Sequence, residues 1–175
     1  MTNKGKLALA AATAALAGGV FAWANWPGEK LDPAARADRV VVEKSARVLR
    51  LLKGDVVLKT YRVSLGGDPV GSKQREGDQR TPEGEYRIDY RNPASSFHLA
   101  LHVSYPSPAD TERARRAGVP AGGDIMIHGA PNGYGWLGRL HRFRDWTAGC
   151  VAVTDREIEE IWNAVPDGTP VSLRP

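Results

Sequence analysis

Hydrophobic and polar positions divide the chain into three regions. Leu7 to Trp23 is an unbroken apolar and small-residue stretch preceded by Lys4 and Lys6 with no acid. Pro27 to Asp38 is polar, holds two prolines and shows no periodic apolar face, so it reads as a linker. From Arg39 onward short β-branched runs dominate. Val40 to Val42, Val48 to Leu52 and Val56 to Leu65 are strand candidates, with Gly54-Asp55 as a two-residue hairpin turn between the second and third. Alternation continues in Tyr86, Ile88 and Tyr90, and in Phe97, Leu99, Leu101, Val103 and Tyr105, predicting two further strands. Ile125 to His128 and Pro170 to Leu173 are shorter candidates. Two helices are expected. Ser107-Pro108 opens one that Gly118 closes, and Thr154 with Glu157 forms a capping box ahead of Ile158, Ile161, Trp162 and Val165 at helical spacing, ended by Pro166. The pattern therefore predicts a mainly β domain over residues 39–175 with about two short helices, behind a leader of residues 1–26 and a linker of residues 27–38.

The leader has two readings. Lysines followed by an apolar stretch, with Ala22-Trp23-Ala24 as an A-x-A site, match a cleaved secretory signal. Leu7 to Trp26 is also about the ~20 residues that cross a bilayer, with Trp23 and Trp26 suited to its interface, which describes an uncleaved anchor in the inner membrane. A buried core helix is the plain alternative. The first two readings place the domain in the cell envelope, on the periplasmic side.

Composition narrows the class. At 175 residues, with 42% hydrophobic and 25% charged residues, 19 Gly and 12 Pro, the chain is a loop-rich globular protein of one domain. Disordered, collagenous, coiled-coil and polytopic membrane readings are excluded. The net charge is +4, and beyond the two leader lysines the balance is 22 basic against 20 acidic residues, which is no nucleic-acid footprint. A single cysteine, Cys150, cannot form an internal disulfide. In an oxidising compartment an idle free thiol is a liability, so its presence there points to use.

Candidate chemistry lies between Thr81 and Ala152. In Trp146-Thr147-Ala148-Gly149-Cys150 a glycine precedes the cysteine and lets backbone amides approach a bound carbonyl, as an oxyanion hole requires. His128 ends a short strand, before Gly129. An imidazole that takes a thiol proton makes a nucleophile for acyl transfer. On these two residues alone, a buried structural cysteine with a surface histidine is the plainer account. His98, His102, His128 and Cys150 could be imagined as a zinc site, but neither H-E-x-x-H nor paired-cysteine spacing is present, and no metal or other cofactor is expected. A phosphate-binding glycine loop is also missing.

Three ordered motifs add to this. Thr81-Pro82-Glu83-Gly84, then Ile127-His128-Gly129, then Thr147-Ala148-Gly149-Cys150 resemble the L,D-transpeptidase catalytic domain, or YkuD, family from about Arg39 to Pro175. The resemblance implies a β-sandwich-like fold and a cysteine enzyme acting on peptidoglycan stem peptides, with Cys150 as nucleophile and His128 as general base. It further implies that the Gly129 carbonyl orients the imidazole and that the amides of Gly149 and Cys150 form the oxyanion hole. On its own physics Thr81-Pro82-Glu83-Gly84 is a turn, and a scaffold role is expected of it. Many family members carry histidine before the glycine and arginine or asparagine two residues after the cysteine, where this chain has Ala148 and Ala152. That form looks more like the YafK-like branch, in which hydrolysis of peptidoglycan attachments competes with cross-linking. A non-catalytic wall-binding module of the same fold is a further alternative, although both cysteine and histidine are present.

Substrate contacts are expected from Thr147 and from the glycine-rich Asn132 to Asp145 segment, where Trp136, Arg139, Arg142 and Arg144 suit a lid over an acidic peptide, or equally a solvated loop. His141, in the same segment, competes with His128 for the role of base. A rigid strand favours His128, and the surrounding arginines disfavour a protonated His141. A monomer is expected.

Overall fold

The computed structural model describes residues 3–175. Eight strands form one hydrogen-bonded sheet in the order β3-β2-β1-β8-β4-β5-β6-β7. They are β1 (Arg39–Glu43), β2 (Val48–Lys53), β3 (Val56–Arg62), β4 (Gly84–Ser95), β5 (His98–Val103), β6 (Met126–His128), β7 (Val151–Ala152) and β8 (Pro170–Arg174). Most neighbours are antiparallel, while β1 with β8 and β6 with β7 are parallel. Against the expected β-sandwich-like fold, the strands join into a single sheet, and they do so through β4. Its Gly84 to Arg87 pair with β8, its Ile88 to Ser95 pair with β5, and irregularities after Ile88 and Asn92 bend it between the two. The sheet curls far enough that its ends meet, with the Ser64 amide donating to the Ala152 carbonyl at 2.9 Å and the Ala152 amide returning a bond to Ser64 at 2.8 Å.

Curling places one face of the strands inside. Val40, Val42, Leu49, Leu51, Ile88, Leu101, Val103, Ile127 and Val151 alternate inward with period two and are buried in a shared core. Helix α3 (Asp155–Ala164) supplies Ile158 and Ile161 to the same core. Its capping box is formed as expected: Glu157 accepts from the Thr154 amide at 3.0 Å and from its hydroxyl at 2.8 Å. Helix α2 (Pro108–Arg116) begins at Ser107 with a capping box completed by Asp110.

Two further helical elements exceed the expected pair. Helix α1 (Asn3–Asn25) covers the apolar leader, and a 3-10 segment, Gly135–Phe143, replaces the glycine-rich loop. Residues 27–38 have no regular structure, and they touch the domain at two points. Leu31 packs on the core, and Ala37, 4% exposed, donates its amide to the Ala164 carbonyl at 2.8 Å.

Candidate active site

The parallel pairing of β6 with β7 builds the site. Ile127 pairs with Val151 and His128 with Ala152, so Met126 lies beside Cys150. Paired residues on parallel strands point the same way, and Ile127 and Val151 point into the core. Met126, His128, Cys150 and Ala152 therefore share the opposite face, with His128 one pleat further along than Cys150.

His128 is 3% exposed and its orientation is fixed on all sides. Nδ1 lies 2.7 Å from the Gly129 carbonyl oxygen. Since a carbonyl only accepts, Nδ1 carries the proton and Nε2 keeps its lone pair for the site. Phe97 packs on the ring with centroids 4.5 Å apart, and Trp146 meets it edge-on at 5.8 Å. Burial lowers the pKa of His128 against the opposing pull of the Gly129 bond. The Cys150 thiol is pushed up from its ordinary value, first by burial and further by the Asp124 carboxylate, while the Met126 amide and Lys73 counter the rise. The resting pair is thus a neutral thiol and a neutral imidazole. Sγ receives the Met126 amide at 3.4 Å and donates to the Asp124 carbonyl at 3.5 Å.

The turn holding the cysteine is tied down from behind. Leu65 accepts the Trp146 and Thr147 amides at 3.2 and 3.1 Å and donates its own amide to Asp145 at 2.8 Å. Gly149 has φ +136, and a Cβ there would stand 2.7 Å from the Arg80 carbonyl oxygen, so only glycine fits. Thr81, fully buried, accepts the Gly66 amide at 3.1 Å and presents its carbonyl to Lys44 at 2.9 Å. Thr81 and Arg80 thus form a wall behind the turn.

The residues named from sequence take different places. Thr147 is buried, and its hydroxyl donates to the Cys150 carbonyl at 2.8 Å while accepting the Gly149 amide at 3.1 Å. The Gly149 amide is thereby engaged inside the turn, whereas the Cys150 amide makes no hydrogen bond among the described residues. Arg142 is paired with Glu157 of α3. Trp136 and Arg139 stand at the end of α1, where Asn25 donates to the Trp136 carbonyl at 3.0 Å, and Arg144 is exposed. His141 is not on a mobile loop. It is 9% exposed, lies edge-on to Trp146, receives the Trp146 indole N–H at 3.4 Å, and its pKa is brought down to about 4 by burial and then by Arg142. The imagined zinc cluster is dispersed. His98, at φ +64, turns to Glu159 at 2.9 Å, His102 meets Asp89 at 2.5 Å, and no metal-holding cluster occurs among the described residues.

Sequence reasoning missed Asp155. Its Oδ1 accepts the Ala130 amide at 2.8 Å, and the carboxylate lies where any Cβ on Gly129 or Gly135 would collide, at 2.7 and 2.1 Å. The first residue of α3 thus holds the backbone that aims the His128 ring. Its signal was an acid directly after the Thr154 cap, which reads equally as ordinary helix-end electrostatics.

The candidate site thus holds a buried imidazole aimed by a carbonyl and a cysteine in a glycine turn, carried on a parallel strand pair. The L,D-transpeptidase catalytic domain (YkuD) profile matches residues 37–173, and the chain belongs to that family. YafK of Escherichia coli (strain K12), provisionally named an L,D-transpeptidase, is 30% identical over 112 residues, covering 62% of this chain and 37% of YafK. The chain therefore spans little more than a third of that relative. Among solved structures, the helical cell shape determining protein Pgp2 of Campylobacter jejuni superposes with a TM-score of 0.60 at 22% identity, over 89% of this chain and 54% of Pgp2. An L,D-transpeptidase from Mycobacterium smegmatis gives 0.51 at 15% identity, over 78% and 58% of the two chains. At these identities the likeness is one of fold.

Proposed function

We propose that the protein is an envelope enzyme that transfers acyl groups of peptidoglycan stem peptides through a thioester on Cys150. The observation that carries this reading is the 2.7 Å Nδ1–H to Gly129 bond, which leaves Nε2 of a strand-held histidine as a base on the cysteine's own face. In acylation His128 takes the thiol proton as Sγ attacks the peptide carbonyl carbon. The Cys150 amide, unengaged in the turn, donates to the developing oxyanion. The C–N bond breaks, the amine leaves with the proton returned by His128, and an incoming amine or water later cleaves the thioester and restores the thiol. Periplasmic placement follows from the leader and from where such substrates occur.

Water is favoured as acceptor by one feature. Ala148, exposed beside the thiol, offers no polar group to hold an acceptor amine, so hydrolysis of wall attachments is the second reading. Digesting purified sacculi with the protein and weighing the muropeptides separates the two, since cross-linked products gain a peptide and hydrolysed ones gain water. Cys150→Ala is expected to abolish both while leaving the fold intact, and a retained rate would overturn the enzyme reading. A carbapenem should add one mass to the native protein and none to Cys150→Ala.

A further inference from the structure

The junction between α1 and the 3-10 segment is a built contact that the acyl-transfer reading does not use. Every residue from 9 to 23 of α1 is exposed, and among the described residues of the helix only Ala24 is buried, at 2% exposure. The helix therefore projects from the domain and touches it only with its last turn. Asn25 donates its side-chain amide to the Trp136 carbonyl at 3.0 Å, Arg156 of α3 donates to the Asn25 carbonyl at 3.4 Å, and Arg139 reaches the Trp23 carbonyl at 3.5 Å. Gly138 breaks the 3-10 segment with φ 49 and ψ −128, and a Cβ there would stand 2.3 Å from the Ala24 carbonyl oxygen. The kink and the missing side chain make the seat for the end of α1. The same contact buries Ala24 and keeps the A-x-A site in helical backbone, where a peptidase that needs an extended strand finds none.

Gly5–Asn25 is 21 residues with mean hydropathy 1.8, about 31 Å at the helical rise and so about the thickness of a bilayer core. A projecting span seated by its last turn fixes where the membrane surface must lie, which is level with the 3-10 segment. That segment has an interfacial composition. Trp136 is 55% and Phe143 78% exposed, next to Trp23 and Trp26 of the leader at 52% and 68%. Arg139 and Arg144 stand among them. Aromatic rings settle at headgroup depth, and arginines are drawn to anionic headgroups.

We propose that α1 is retained as a single membrane anchor and that the 3-10 segment rests in the headgroup layer of an anionic phospholipid bilayer with Trp136 and Phe143 inserted. The domain is thereby held in one orientation, with the 3-10 segment that leads into the Cys150 turn against the membrane. Lys4 and Lys6 give the anchor its cytoplasmic end. This assignment stands whether or not Cys150 is a nucleophile.

The test uses the full-length chain carrying Cys150→Ala, with an environment-sensitive fluorophore on Trp136→Cys, Phe143→Cys or, as reference, the exposed Arg116→Cys of α2. In vesicles of phosphatidylethanolamine and phosphatidylglycerol the first two labels are expected to shift to the blue and lose most of their emission to headgroup-depth quencher lipids, while the third stays water-like. Water-like emission at positions 136 and 143 with α1 inserted, or equal quenching at 116, would overturn the proposal. Gly138→Leu should unseat α1 and return the 136 label to water with the thermal unfolding of the domain unchanged. An unaltered label would refute the seat. The mass of the exported protein should include the residues of α1, and a mature chain beginning at Asn25 would refute retention.

Discussion

In the proposed site Cys150 and His128 rest uncharged, and that decides how the site answers to pH. His128 lies below its ordinary 6.5 because burial penalises the imidazolium, so it is a competent base down through neutrality. Acylation of the free protein should therefore be level from about pH 6.5 upward and fall only below it. Alkylation of Cys150 by iodoacetamide, which needs the thiolate without substrate, should be slow at pH 7 and rise only above the ordinary thiol value of 9.0. Fast alkylation at neutrality would indicate a preformed thiolate–imidazolium pair. His128→Ala should lose at least ~10²-fold in single-turnover acylation, the low end for general acid–base catalysis, whereas His141→Ala should keep the chemical step. His141 instead bears on stability. Its folded pKa of about 4 lies below the unfolded value of 6.5, so the unfolded chain takes up the proton first as pH falls. Its contribution is complete above pH 6.5 and declines toward pH 4, by about 2–3 kcal/mol at pH 4.5. Urea unfolding at pH 7.5 and 4.5 checks this, with a smaller loss expected in His141→Phe.

Helix α3 acts at both ends of the site. Glu157 closes the cap at Thr154 and pairs with Arg142, fixing the 3-10 segment, while Asp155 fixes the 129–135 turn through Ala130. Asp155 is a positioning residue, because it touches the backbone that aims His128 and not the reacting atoms. Asp155→Ala should slow acylation by roughly tenfold or more without raising KM in proportion, since misplacement of the base costs the chemical step. Asp155→Asn retains an Oδ1 acceptor and should recover most of the rate. A purely structural Asp155 would show equal stability loss and no such rescue. Gly149→Ala has no such remedy, for its Cβ would meet the Arg80 backbone first, at 2.7 Å from the carbonyl oxygen.

At the scale of the molecule, Leu31 and Ala37 tie residues 27–38 to the domain. A chain beginning at Arg39 should melt below one beginning at Asn25 by several degrees, since loss of the Ala37 and Leu31 contacts at ~1–2 kcal/mol shifts Tm by about 2–4 °C per kcal/mol in a domain of this size. Equal melting temperatures would show the segment to be a tether. The sequence by itself determined what local rules govern. The β-branched run Val40 to Val42, the alternation of Tyr86 to Tyr90, the Thr154–Glu157 and Ser107 caps, and the glycine before Cys150 each act within a few residues and were legible in order. The membership of the chain in its family was legible too, because three short motifs carry it. Tertiary structure alone decided the rest. A 12-residue β4 serving two partners, the closure of Ser64 on Ala152, the burial of His141 and the grip of Asp155 on the Gly129 turn join residues far apart in the chain. No local pattern encodes such pairings, because they arise only when strands of fixed twist curl around one core and leave each side chain on the face that register assigns it.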